Sequence, residues 1–94
     1  MTDEQDSRRG AEAREVLDNP IYAEAYDSVR GEILALWEAS RDAADREQLH
    51  TMLGLLTKTR TAIESVMRTG EVATAEIKRK KSLAERTIGR FRAA

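Results

Sequence analysis

From Asp45 to Met67 the chain carries its longest unbroken helical pattern. Leu49, Met52, Leu56, Thr59, Ile63 and Val66 recur at alternating spacings of three and four residues, and Leu53 and Met67 widen the row. Side chains at that spacing share one face of an α-helix. Arg68-Thr69-Gly70 then supplies a basic last turn and a glycine suited to a left-handed helix stop. The segments before and after read as elements that pack on this helix.

Upstream, Asp18-Asn19-Pro20 is the strongest punctuation in the chain. Proline disfavours the α conformation at the residue before it but suits the first position of a new helix, with Asp18 or Asn19 as its cap. A helix from Pro20 to about Ala39 follows, with Tyr22, Tyr26, Val29, Ile33 and Leu36 in one row and Ile21, Ala25 and Trp37 beside it. Gly31 inside it costs about 1 kcal/mol relative to alanine. The break at Ser40–Asp45 is short, so the two helices should return antiparallel as a hairpin spanning 20–69. Ala11 to Asp18 has good helix formers and only Val16 and Leu17 as large apolar residues, enough for two turns if docked. Met1 to Gly10 has no periodicity and is expected as a flexible tail.

Beyond Gly70, Val72, Ala73 and Ile77, then Leu83, Ala84, Ile88 and Phe91, suggest a further helix, with Lys78-Arg79-Lys80-Lys81 between the two apolar groups. Ser82-Leu83-Ala84-Glu85 matches a capping box, where a helix could restart. The expected fold is therefore all-α: a flexible tail 1–10, a helical-hairpin domain 11–70 with a short N-terminal helix, and a basic C-terminal helix 71–94. At 94 residues the chain is at most one small domain. Such a domain buries only roughly 60–65% of its surface, and self-association is the natural supplement. On that reading Tyr22, Tyr26, Ile33, Trp37, Leu49, Met52, Leu56 and Ile63 form the oligomer or partner interface.

The formal charge of −1 conceals a polarised chain: residues 1–47 carry a net of −7, residues 48–70 a net of +2 and residues 71–94 a net of +4. Opposite ends of this kind can attract another copy head to tail, or partners of opposite sign. Lys78, Arg79, Lys80, Lys81, Arg86, Arg90 and Arg92 could contact phosphates or an acidic protein surface. Glu71, Glu76 and Glu85 are interspersed, and Phe91 is the one aromatic in the segment available for stacking on bases.

Catalytic chemistry finds little footing. Without cysteine there is no thiol nucleophile, disulfide framework or thiolate zinc site. One histidine cannot form an acid–base pair, and the glycines form no phosphate loop. Glu47 and His50, three apart, are half of a di-iron carboxylate motif, with Glu32 the nearest further candidate. Glu47 lies about 200° around the helix from Leu49, however, and should face water. No enzyme activity, metal, cofactor or small-molecule substrate is expected. No apolar run of membrane-spanning length exists and the first six residues are polar and acidic. An intracellular, soluble protein is expected.

Val16-Leu17-Asp18-Asn19-Pro20-Ile21-Tyr22 through Trp37, then Arg46-Glu47-Gln48-Leu49 and Met67-Arg68-Thr69-Gly70-Glu71, resemble a group of small helical proteins encoded among head-morphogenesis and packaging genes of tailed bacteriophages. In that group a leucine, asparagine–proline and aromatic opening leads into a tryptophan-containing helix, and a second helix ends in threonine–glycine before a charged tail. The likeness covers roughly residues 14–72. It implies a virion or assembly component acting through protein contacts, located in the bacterial cytoplasm or within the virion. Its partners would be itself or a larger virion or packaging protein, with DNA as the alternative through the basic segment.

Overall fold

The computed structural model describes residues 1–93. It holds three helices, α1 (Asp3–Asp18), α2 (Pro20–Ala39) and α3 (Ala43–Ala93), and no strand among the described residues. α3 alone has 51 residues. At about 1.5 Å per residue it sets the long dimension of a 78 × 24 × 18 Å rod.

Local chemistry sets each boundary. Thr2 caps α1 in a capping box, its hydroxyl accepting from the Gln5 amide (3.2 Å) while Gln5 Oε1 accepts from the Thr2 amide (3.0 Å). Asp3, Glu4 and Asp6 place negative charge at the helix's positive end. Asn19 ends α1 and caps α2 at once: its side-chain oxygen accepts from the amides of Ile21 (2.8 Å) and Tyr22 (3.2 Å), with Pro20 in the first turn. Asp42 caps α3 through the Ala44 amide (3.1 Å).

Contacts along the rod fix the direction of each helix. Trp37 meets Arg46, Tyr26 meets Arg60, Gly10 meets Gly70, Ser7 meets Thr74 and Asp3 meets Lys80. Falling numbers on one side match rising numbers on the other. α2 and α1 therefore run end to end along α3, both antiparallel to it, broken at Asn19. The α3 residues turned toward them are Arg46, Leu49, Leu53, Leu56, Arg60, Ile63, Met67, Gly70, Thr74 and Ile77, an alternation of three and four that holds for nine steps. That is the repeat of a left-handed coiled-coil seam.

Three expectations are corrected. Residues 3–10 are the first half of α1 and not a flexible tail. Gly70 does not stop the helix: no glycine has positive φ, and α3 runs straight through it. Residues 71–93 are the continuation of that helix, so the capping-box pattern at Ser82 starts nothing. Gly70 stays helical because α1 crosses there, backbone against backbone. A Cβ at Gly70 would lie 2.5 Å from the Gly10 Cα and 2.8 Å from the Asp6 carbonyl oxygen.

Among the described residues, the buried apolar side chains are Ala13, Ile33 and Ala73. The isolated chain exposes 7481 Å², where a compact monomer of 10.6 kDa exposes about 5,500 Å². Its radius of gyration of 21.6 Å compares with about 12 Å for a compact domain of this length.

Candidate interaction face

Two helices laid side by side form a layer with a seam and two flanks, and the flanks here differ in chemistry. On one flank α3 presents His50, Thr57, Glu64, Glu71 and Lys78, and the paired helices present Ser7, Arg14, Asp27 and Leu34. Arg14 and Glu71 pair across it at 3.7 Å. Near the turn this flank narrows into an apolar groove of about 210 Å³ lined by Ile33, Leu34, Trp37, Leu49, His50 and Leu53.

The other flank of α3 is a second row at the same spacing, Met52, Leu55, Thr59, Ala62, Val66, Thr69 and Ala73, exposed from Met52 to Ala62, half-buried at Val66 and buried at Ala73. No charge interrupts it over 22 residues. Thr59 commits its hydroxyl to the Leu55 carbonyl at 3.0 Å. Across the seam α2 adds Tyr22, Ala25, Val29, Leu36 and Ala39 on the same side, broken by Glu32. Met52 and Leu55 are 51% and 59% exposed, Leu36 58% and Val29 43%. This flank ends where Met1, Asp6 and Arg9 of the N-terminal segment meet Ser65, Val66 and Thr69. Apolar side chains left in water along both helices of one flank mark a contact face.

The expected interface residues divide between seam and surface. Ile33 is buried, and Tyr26, Leu49, Leu56 and Ile63 are half-buried in the intrachain seam. Met52 stands on the free flank, with Tyr22 half-buried at its edge, and Trp37 lines the turn groove. Sequence reasoning took Leu53 and Met67 only as widening the row, missed Arg60 between them as part of the seam, and missed Leu55 as an exposed apolar residue. It also missed Arg46. The Arg46 guanidinium donates to the Trp37 (2.7 Å) and Ser40 (3.1 Å) carbonyls and stacks 3.8 Å over the Trp37 ring. It holds the turn by satisfying the carbonyl end of α2.

The contact of α1 with α3 is built from small residues. The single Thr74 hydroxyl proton goes to the Gly70 carbonyl (2.8 Å), so Ser7 is the donor to Thr74 Oγ1 at 2.6 Å. A shallow cleft of about 340 Å³ remains beside the crossing, lined by residues such as Ser7, Gly10, Met67 and Thr74.

The basic segment is not one free cluster. Arg79 donates to both carboxylate oxygens of Glu76, at 2.6 and 3.0 Å, and that hydrogen bonding holds the Glu76 carboxyl below its usual range and raises Arg79. Lys80 pairs with Asp3 at 3.3 Å. Lys78 and Lys81 have no ion-pair partner among the described residues. Arg86, Arg90 and Arg92 lie on the end of α3 that projects past α1, with Leu83, Ile88 and Phe91 exposed beside them.

Glu47 and His50 are both exposed, and no cluster of three or more His, Cys, Asp or Glu side chains suited to a metal is found among the described residues. Among the described residues, no helix is long and apolar enough to cross a membrane. Comparison with family models, curated proteins and solved structures finds no match to the chain.

Proposed function

We propose that the chain is a non-enzymatic assembly protein of a phage-like particle or its packaging apparatus, working through helix–helix contacts in the bacterial cytoplasm or within the virion. The reading is carried by the one-sided apolar flank: a rod two helices thick that keeps Leu36, Met52 and Leu55 more than half exposed is built to be covered by another helical surface. The sequence likeness over residues 14–72 supplies the setting. In this role the antiparallel hairpin is the folded unit, and its free flank joins it to a further helical surface. Gradient sedimentation of a lysate from cells producing the particles tests it. The chain should travel with particles or precursor shells, and Leu55→Glu should release it to the top of the gradient. A wild-type chain found only at the top, with particle yield unchanged on its removal, refutes the reading.

A second reading, a nucleic-acid-binding accessory factor, is favoured by one observation: the projecting end of α3 carries Lys81, Arg86, Arg90 and Arg92 against Glu85. Filter binding at two salt concentrations tests it. Retention on DNA should fall steeply with salt and vanish on truncation after Gly70. Retention unaffected by either refutes it.

A further inference from the structure

Resting on the assembly reading but using a different surface, we infer that the projecting end of α3 seats in the apolar groove beside the turn of a second copy. The copies then join head to tail, with Ile88 and Phe91 of one against Leu34, Trp37 and Leu53 of the next.

The projecting end is half of a helix pair. The seam spacing of three and four runs on from Ile77 through Lys81, Ala84, Ile88 and Phe91. α1, however, reaches only as far as Lys80, which Asp3 meets at 3.3 Å. Every residue from Lys78 to Arg92 is exposed, Phe91 at 80%. At about 100° per residue, Leu83, Ala84, Thr87, Ile88 and Phe91 share an arc of about 140°. Lys81 and Arg92 border that arc on one side, Arg86 and Arg90 on the other. A seam row continued past its partner fits another helical surface, whereas a nucleic acid would leave Leu83, Ile88 and Phe91 in water.

The groove offers the matching half. Its volume of about 210 Å³ exceeds the roughly 150 Å³ of an apolar cavity that takes benzene, so one phenyl ring fits. A chain cannot fill its own groove, because Leu83 lies about 30 residues, or about 45 Å, along α3 from Leu53. Charge selects the occupant. Residues 38–47 carry Glu38, Asp42, Asp45 and Glu47 against Arg41 and Arg46, a net of −2. Residues 81–92 carry Lys81, Arg86, Arg90 and Arg92 against Glu85, a net of +3. Farther along the groove side of α2, Asp27 offsets Arg30. Setting tip on tip or turn on turn opposes like charges, and only tip on turn joins unlike ones. Closing two copies on each other, tip to groove twice, would trap Arg14, Glu64, Glu71 and Lys78 of the same flank between the rods. The contact therefore stays open-ended and grows into a filament or a larger ring.

Light scattering of the full chain should show a mass that climbs with concentration past twice 10.6 kDa and falls back as salt rises. Emission of Trp37, the sole tryptophan, should shift to the blue over the same range as Phe91 covers it. Phe91→Glu removes the anchor of the tip and should weaken the junction about thirtyfold or more. Leu34→Arg should do the same from the groove side. His50→Arg, at an exposed position, replaces it if Leu34→Arg loses its helical circular dichroism. Mixed together, a Phe91→Glu chain and a groove variant still own one intact groove and one intact tip, and should form a one-to-one pair that grows no further. Leu55→Glu, on the opposite flank, should leave the mass curve unchanged. A wild-type mass that stays at one chain up to several hundred micromolar, or stops at two, overturns the inference. So does a mixture that fails to pair, or a loss of association in Leu55→Glu. Co-sedimentation with particles decides the assembly reading separately.

Discussion

Replacing Gly70 with alanine tests the architecture at its tightest point. In a free helix the change stabilises by about 0.8–1.0 kcal/mol. Here the new Cβ falls 2.5 Å from the Gly10 Cα, 2.8 Å from the Asp6 oxygen and 3.0 Å from the Gly10 nitrogen. Carbon atoms in contact sit about 3.5–4.0 Å apart, so α1 must retreat by about 1 Å or more, and the obstruction is backbone that cannot rotate aside. Overpacking of this kind costs about 1–3 kcal/mol. Against the propensity gain, the balance is a loss of up to about 2 kcal/mol, which lowers the melting temperature by up to about 8–16 °C for a domain of this size. Gly54→Ala is the matched control, since a Cβ there meets nothing within 4 Å, and should raise it by about 4–8 °C through propensity alone. Both are read by circular dichroism at one protein concentration, because association shifts melting by mass action. Amide exchange should locate the loss in residues 3–18. If Gly70→Ala stabilises as much as Gly54→Ala does, the close crossing of α1 and α3 is wrong.

Three other outcomes are expected. Asn19→Ala should cost about 1 kcal/mol in urea unfolding, since the Ile21 and Tyr22 amides lose their acceptor; Asn19→Ser should recover most of it. Arg46→Ala should cost about 1–2 kcal/mol by removing two charge-assisted hydrogen bonds and the stacking on Trp37, and should shift the emission of this sole tryptophan; an unchanged spectrum would contradict the turn geometry. The Glu76 carboxyl should titrate by NMR below the usual glutamate range and return to it in Arg79→Gln. Because its folded value is depressed, its contribution to the helix is present above the unfolded value and is lost as pH falls through the folded one.

Much of the layout was legible where large side chains or strong punctuation carried it. Asn19-Pro20 announced α2, and Leu49, Leu56 and Ile63, expected at an oligomer or partner interface, lie half-buried along the seam within the chain. The companion row was legible only in part, with Leu53 and Met67 read as widening the stripe and Arg60 left out. Met52, Thr59 and Val66 stand at the same spacing from Leu49, Leu56 and Ile63 as Leu53, Arg60 and Met67, and the former are the more apolar set. Arg60 disguises the true seam, where its guanidinium lies 5.0 Å from the Tyr26 ring and pairs with Glu64 at 3.1 Å. The first half of α1 was opaque for a different reason: the helix docks through Ser7, Gly10 and Ala13, which offer no hydrophobic periodicity. Its one clear signal was the capping box at Thr2 and Gln5. The same blindness made Gly70 look like an end, because a glycine that admits a neighbouring backbone and a glycine that turns the chain are identical letters.

The double duty of Asn19 has a dynamic consequence. Its carboxamide serves α2, while α1 leans on that residue only through one backbone hydrogen bond, from the Asn19 amide to the Val16 carbonyl at 3.2 Å. Local melting that begins at Met1 therefore meets a firebreak at this joint: residues 3–18 peel from the rod as one cooperative unit, and the α2 terminus stays closed behind them. Limited proteolysis should accordingly trim the chain to a product starting near Asn19 well before any cut appears between Pro20 and Leu36.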